Sequence, residues 1–305
     1  MNVNINLNDL IKELISKTTF NQIELHEGFE QYLTLVKQNF SSATYNCYKT
    51  HSETIIKDLN NIGVIHLNQI DDQLISKIVE QMRLRNCKNS TINKRVELLI
   101  RCYNHLANLG CLPSQTFTFQ HLKETLPEIE VINEKELWAI IEYANCLCAK
   151  SKLIVLLLIC TGIRRTELTK IRKDNINISK NRIYLISTKN SKGRYAYFDP
   201  TLKELILEVS SDNKTYLFED SNGNHISSNS VSMIIKRIKN NLKIKCLTPH
   251  KLRHTYATTL LKKGCNIGIV RQLMGHSSLQ VTHRYLDFTS DELEIANSSF
   301  NPLAK

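Results

Sequence analysis

The chain has 305 residues, a formal net charge of +11 and a sequence pI of about 9.2. Its 42% hydrophobic and 23% charged residues are typical of a soluble globular protein. The longest apolar run, Leu153 to Cys160, is too short for the roughly twenty residues of a membrane span. Length favours two domains, and the positive charge suits a polyanion, either nucleic acid or an acidic membrane surface. Nine scattered cysteines without a CxxC pair and an N-terminus unlike a signal peptide predict a cytoplasmic protein.

The first predicted domain is helical. After a short helical extension over residues 1–20, four stretches between 21 and 112 carry apolar residues at three- and four-residue spacing, which predicts a four-helix bundle. Polar residues near two of the helix starts are candidates for contact with a DNA backbone, although each alone is more typical of plain solvent-facing surface. These candidates are Thr44, Tyr45, Lys49, Thr91, Asn93, Lys94 and Arg95.

A linker is predicted over residues 113–132, where helical periodicity is lost and two of the five prolines occur. The second predicted domain, 133–290, starts with helices, breaks at TGIRRTELTKI, continues with two alternating runs joined by a turn, and ends with further helices. The alternating runs predict a β-hairpin. We therefore expect a mainly α chain with a small β-sheet, the second domain being α+β, and a C-terminal tail over 291–305.

The positive charge is concentrated in one segment. Ser221 to Leu286 contains no Asp or Glu but eleven Lys and Arg residues, as many as the whole net excess. A short charge run usually marks a solvated face, but over this length, among apolar helical patterns, it favours a phosphate-binding surface. The cations are Lys236, Arg237, Lys239, Lys243, Lys245, Lys251, Arg253, Lys262, Lys263, Arg271 and Arg284.

Within that segment, TPHKLRHTYATTLLKKG predicts a helix that begins with Thr248 as N-cap and Pro249 in the first turn. His250 and Arg253 then share one face near the helix N-terminus, whose free N–H groups favour anions. The alternative is a metal site on His250 and His254. This alternative is weak because Lys251 stands where the HExxH pattern requires its glutamate.

Three other places carry candidate chemistry. In TGIRRTEL, Arg164 follows a turn and Glu167 is placed to hold it, although a surface ion pair of this kind contributes little. In the hairpin, Lys189 lies near the turn, where a lysine is usually just solvated. In MGHSSLQVTHRYLDF, His276 and Tyr285 taken alone would be a core histidine and a packed aromatic residue.

Together these motifs resemble the tyrosine recombinases, the phage-type and Xer-type integrases. TGIRRTEL resembles that family's TGxRxxEL box, TPHKLRHTYATTLL its HxLRHTxA box, and LMGHSSLQVTHRYL its LGHxSxxxTxxY box. TKNSKGR resembles the KxxKxR strand pair. The four boxes follow the family's order. Arg165–Thr166 and the YLDF ending depart from the usual pattern without removing a catalytic residue type.

The resemblance implies a role for each matching position. Arg164 and Arg253 would be the paired arginines, His250 and His276 the two histidines, and Tyr285 the nucleophile. Lys189 would be the hairpin lysine, with Lys192 as the runner-up, and Glu167 would orient Arg164 or its neighbours. Further DNA contacts are expected from Lys192, Arg194, Lys251 and Arg284. No metal or other cofactor is expected.

The implied activity is site-specific DNA recombination through a 3′-phosphotyrosyl link on Tyr285 and a Holliday junction. Double-stranded DNA carrying recombination sites, a homotetramer on paired sites and an accessory directionality protein would be the partners, with no membrane partner. The implied fold is a DNA clamp of a helical core-binding domain and a catalytic domain, in a bacterial or archaeal cytoplasm. The short segment before the bundle favours an Xer-like or mobile-element enzyme. The alternatives are a non-catalytic DNA-binding relative and a metallohydrolase on His250 and His254.

Overall fold

The computed structural model describes residues 22–124, 130–186, 193–210 and 215–275. The chain divides into two compact units, Met1–Pro127 and Glu128–Lys305. The described residues are mainly helical with one small sheet, as predicted. The predicted N-terminal extension and the predicted C-terminal tail lie outside the described residues, as does the end of the second predicted domain after residue 275. No helix in the described ranges is long and apolar enough to cross a membrane.

The first unit contains the four predicted helices. They are α1 Leu25–Asn39, α2 Ser42–Asn60, α3 Asp72–Leu84 and α4 Asn89–Asn108. Two of them begin at side-chain caps, since Ser41 accepts a hydrogen bond from the backbone N–H of Thr44 and Asp71 from that of Leu74. The helices α1, α2 and α4 pack on one another around a core that includes the fully buried Phe29 and Tyr103.

The first part of the predicted linker packs against this bundle. The ring of Phe117 meets that of Tyr103 edge to face at a centroid distance of 5.0 Å. The side chain of Asn93 donates to the carbonyl of Leu122 and accepts from its backbone N–H, each over 2.9 Å. As far as residue 124, therefore, the chain is bound to the first unit. The bounds of the predicted domains stay a proposal.

The second unit contains seven α-helices and three strands among its described residues. They are α5 Glu134–Ala144, α6 Ala149–Thr161, α7 Arg165–Thr169, β1 Ile176–Asn177, β2 Arg182–Leu185, β3 Arg194–Tyr197, α8 Lys203–Val209, α9 Ser228–Asn241, α10 Pro249–Lys262 and α11 Ile267–Met274. The strands form an antiparallel sheet in the order β1-β2-β3, with Tyr184 opposite Tyr195. The short β1 was not predicted, and residues 187–192, which join β2 to β3, lie outside the described residues.

The helix α6 is the centre of the second unit. Its residues from Leu153 to Leu158 are almost all buried, which is the behaviour of a helix that is apolar on all sides. It packs against α5, α8 and α10. The end of α6 at Thr161 therefore lies at the edge of the hydrophobic core, and the residues that follow it belong to the candidate site.

Candidate active site

The chain turns sharply at the end of α6. Gly162 has a φ of 57°, in the left-handed region that favours glycine. A Cβ atom at this position would lie 2.3 Å from the ring of Tyr256 on α10, so the turn also needs glycine for space. The following residue, Ile163, is buried and anchors the turn. Arg164 is thereby placed at the N-cap of α7.

Glu167 holds Arg164 in place from within α7. Its Oε2 accepts a hydrogen bond of 2.9 Å from the backbone N–H of Arg164, and its Oε1 accepts one of 2.8 Å from the guanidinium Nη1. The other terminal nitrogen of Arg164, Nη2, donates to the carbonyl of Gly275 over 2.8 Å. Arg164 thus links the TGIRRTEL turn to the residue before His276.

Arg253 is almost completely buried, with 3% of its surface exposed. Its Nη1 donates to the carbonyl of Gly162, and its Nη2 donates to the carbonyl of Met274 at the end of α11. A buried guanidinium requires such acceptors because an unpaired charge away from water is costly. Arg164 and Arg253 therefore both connect the turn that follows α6 to the turn that follows α11.

The start of α10 agrees with the sequence prediction. The side chain of Thr248 accepts a hydrogen bond from the backbone N–H of Lys251, and Pro249 occupies the first turn. His250 is exposed there. Its ring meets that of His254 edge to face at a centroid distance of 4.2 Å. Among the described residues, no three His, Cys, Asp or Glu side chains come together as a metal site.

One groove of about 950 Å³ brings the predicted residues together. Arg164, His250 and Arg253 all line it. Its other lining residues are Ile163, Arg165, Thr166, Ser232, Ile235, Lys236, Lys239, Asn240, Leu247, Thr248 and Pro249. Of all fourteen described lining residues, five are Arg or Lys and none is Asp or Glu. A groove with this lining is suited to an anion.

Two lysines in this groove were not singled out as site residues from the sequence. Lys236 is exposed and Lys239 is half-buried, and both lie three residues apart on one face of α9. The signal for them was present, because both belong to the segment without acidic residues. Both lie outside the four sequence boxes, so the sequence gives no reason to prefer them over the other nine cations.

Two of the predicted DNA contacts need correction. Asn93 is 3% exposed and is engaged by Leu122, so its side chain is not available to a DNA backbone. The side chain of Arg194 is only 11% exposed, and its Nη2 donates to Glu167 Oε2 over 2.7 Å. Both are internal residues of their units. Their burial comes from tertiary packing that local sequence does not reveal.

The other predicted contacts vary in exposure. Lys49 and Lys94 are exposed, whereas Thr44, Tyr45, Thr91 and Arg95 are partly buried. Burial and the neighbouring cations of Arg95 and Lys94 lower the pKa of His51, which indicates a positive local field on the first unit. Lys251 forms an ion pair with Glu130, so its contact with DNA would require that pair to open. Lys189, Lys192, His276, Arg284 and Tyr285 lie outside the described residues.

Known relatives of this chain are tyrosine recombinases. The chain is 26% identical to the tyrosine recombinase XerC of Oceanobacillus iheyensis over 301 residues, which cover 93% of this chain and 98% of that protein. It is 34% identical to the tyrosine recombinase XerA of Pyrococcus furiosus over 188 residues, which cover 60% of this chain and 65% of that protein. The phage integrase family model matches residues 130–292, more than half of the chain. The chain therefore belongs to the phage integrase family and is, at that level, a site-specific recombinase.

Solved structures share the fold. A lambda integrase dimer bound to a COC′ core site superimposes with a TM-score of 0.73 at 17% identity, covering 92% of this chain and 81% of that one. The Tn1549 transposon integrase in complex with a circular intermediate DNA gives 0.71 at 17% identity, covering 90% and 98%. At 17% identity this similarity shows a shared fold and no more.

Proposed function

We propose that this protein cleaves and rejoins DNA at specific sites through a covalent 3′-phosphotyrosyl intermediate on Tyr285. The observation that carries the proposal is the groove in which Arg164, His250 and Arg253 meet among cationic and neutral lining residues. These three residues come from two sequence boxes that are far apart in the chain. Their convergence on one anion-binding surface supports a phosphodiester as the substrate.

The two arginines would stabilise the phosphate. A phosphodiester is anionic and repels nucleophiles, and its charge grows in the transition state. Guanidinium groups present planar pairs of donors that match phosphate oxygens. Arg164 and Arg253 are already held by Glu167 and by backbone carbonyls, so little reorganisation is needed when the substrate binds.

The proposed reaction moves two protons. The hydroxyl oxygen of Tyr285 attacks phosphorus as its proton passes to His250, which is exposed at the start of α10. The bond to the 5′ oxygen breaks, and Lys189 donates a proton to that leaving oxygen. His276 adds a hydrogen bond to the phosphate. Because the new phosphotyrosyl bond retains the energy of the old one, rejoining needs neither ATP nor a metal ion.

Duplex DNA is the proposed partner. The fold neighbours from lambda and Tn1549 are described in complex with DNA. The chain itself carries a net charge of +11 and a groove lined by five Arg and Lys residues. Exchange between two sites would take four protomers and pass through a Holliday junction, with direction set by an accessory protein.

A trapped covalent complex tests the proposal. Duplexes bound by the full-length protein would be selected from a random pool, then rebuilt with a nick near the cleaved bond so that the short strand diffuses away. We expect wild type to form an adduct that survives denaturant and persists in EDTA, and Tyr285→Phe to form none.

Tyr256→Phe is the matched control, because it removes a tyrosine hydroxyl from a half-buried ring that packs on Gly162. It should still form the adduct. Tight, selective DNA binding by wild type without any adduct would contradict the proposal and support a non-catalytic DNA-binding protein.

A further inference from the structure

Arg194 is a buried cation that the proposed reaction does not use. It is the first residue of β3, which follows the segment carrying Lys189 and Lys192. Its side chain is 11% exposed, and the carboxylate of Glu167, itself 10% exposed, is its ion-pair partner at 2.7 Å. Burial lowers the pKa of Arg194, which measures how unfavourable this environment is for its charge.

Glu167 divides its two carboxylate oxygens between two arginines. Oε1 accepts from Arg164 Nη1 over 2.8 Å, and Oε2 accepts from Arg194 Nη2 over 2.7 Å. Burial alone would raise the pKa of Glu167, but the charges of Arg194 and Arg164 outweigh it and hold that pKa below its ordinary value. The three groups together carry one net positive charge. Without Arg194 the remaining pair would be neutral.

Arg194 also packs against the turn that precedes His276. Gly275 has a φ of 62°, and a Cβ atom there would lie 2.5 Å from Arg194 Nε. Within the described part of the chain, Nε and Nη1 of Arg194 are buried without a hydrogen-bond partner. Unsatisfied buried donors cost free energy, so stability of the fold alone is a poor explanation for an arginine at this position.

We propose that Arg194 is a positioning residue that neutralises Glu167, so that the positive charge of Arg164 stays available to the scissile phosphate. It acts through Glu167 and does not touch DNA. This inference rests on the proposed function, because it assumes that Arg164 binds the reacting phosphate. Without Arg194, the carboxylate of Glu167 would cancel the positive charge of Arg164.

The test compares first-order rates of covalent adduct formation on the nicked duplex, with wild type as reference. Arg194→Met removes the charge and keeps much of the volume. We expect its rate to fall by as much as about a hundredfold, the scale of a small misplacement at a reacting centre. Adding Glu167→Gln should then restore part of the rate, since the neutral amide can still accept from Arg164 without cancelling its charge.

Two further readouts separate positioning from other roles. The slope of log affinity against log salt should not change in Arg194→Met, whereas loss of a direct phosphate contact lowers its magnitude by about 0.9. On a duplex with a neutral methylphosphonate at the cleaved position, the defect of Arg194→Met should shrink, because no phosphate charge is left for Arg164 to neutralise.

The outcomes are distinct. Failure of wild type to form an adduct contradicts the proposed function itself. With wild type active, a double variant slower than Arg194→Met, a lowered salt slope, or equal defects on both substrates would each overturn the positioning role. Should Arg194→Met not fold, Arg194→Gln, which also removes the charge, takes its place, and unfolding of both variants would assign Arg194 to stability and overturn the proposal.

Discussion

Arg253 and Gly162 lie 91 residues apart in the chain and are joined by a hydrogen bond from the guanidinium Nη1 to the carbonyl oxygen. The bond fixes the start of α10 against the end of α6, the central helix of the second unit. It lets the buried core determine where Arg253 and, through the adjoining turn, Arg164 are placed. The turn at Gly162 is therefore part of the frame that holds both arginines.

Gly162→Ala should destabilise the second unit more than a comparable substitution elsewhere. A left-handed backbone costs a residue with a Cβ atom about 1–2 kcal/mol. At Gly162 the new methyl group also meets the Tyr256 ring, and overpacking of this kind adds about 1–3 kcal/mol. Gly223→Ala is the control, because Gly223 has a φ of 76° with no atom within 4 Å of the added Cβ. If denaturant unfolding shows that Gly162→Ala and Gly223→Ala lower the free energy of unfolding equally, the contact with Tyr256 is unimportant.

Gly275→Ala should slow cleavage more than Gly264→Ala does, although the two substitutions should lower the free energy of unfolding by similar amounts. Its Cβ atom would lie 2.5 Å from Arg194 Nε and 2.6 Å from Cδ, so the buried side chain must move away from Glu167. Gly264→Ala carries a similar backbone strain, with a φ of 83° and open space around the added atom. Adduct formation rates and unfolding free energies of both variants check this. A Gly275→Ala protein as active as Gly264→Ala would count against the tight packing at this turn.

The local features of the site could be predicted from the sequence. Thr248 and Pro249 predict the start of α10, and the spacing of Arg164 and Glu167 predicts their pairing, because caps and short helical spacings depend on neighbouring residues. The sequence predicts DNA contacts for Asn93, which lies near a helix start, and for Arg194, which lies in the hairpin. Their burial depends on contacts with Leu122 and with Glu167, which lie 29 and 27 residues away in the chain.

The groove itself could not be predicted for a similar reason. Lys236 and Lys239 line it only because α9 packs beside α7 and α10, and helix packing is determined by the whole core. The segment without acidic residues indicated a phosphate-binding surface but not which of its eleven cations would face it. Hydrophobic periodicity shows which residues share one face of a helix, but it does not show which other element packs against that face.

The ion pair between the buried Asp58 and the exposed Arg85 should contribute to the stability of the first unit. Asp58 is 1% exposed and accepts two hydrogen bonds from Arg85, over 2.7 and 2.6 Å. Arg85→Ala leaves the Asp58 carboxylate buried without its cation. Because the Arg85 side chain is itself 46% exposed, we expect a loss of about 1–3 kcal/mol, below that of a fully buried pair. Arg83→Ala, which removes a nearby exposed arginine, should change the free energy of unfolding by less than about 0.5 kcal/mol. If urea unfolding shows the same change in free energy for Arg85→Ala and Arg83→Ala, the ion pair contributes nothing to stability.

Glu167 should make the stability of the protein depend on pH in acid. Its pKa in the folded protein is below the ordinary value of 4.5, so the folded state binds fewer protons there than the unfolded state. The resulting stabilisation is complete above pH 4.5 and is lost as the pH falls through the lowered pKa. Wild type should therefore exceed Glu167→Gln in unfolding free energy at pH 7, and the difference should shrink in acid. A difference that is constant from pH 7 to 3 would contradict the assigned environment of Glu167.

The most direct test of the proposed chemistry is to identify the amino acid that becomes linked to DNA. Wild-type protein trapped on the nicked duplex would be digested with nuclease and protease, and the modified peptide sequenced by mass spectrometry. The mechanism predicts a nucleotide joined through its 3′-phosphate to Tyr285. A link to any other residue, or cleaved DNA with no covalent link to the protein, would contradict it.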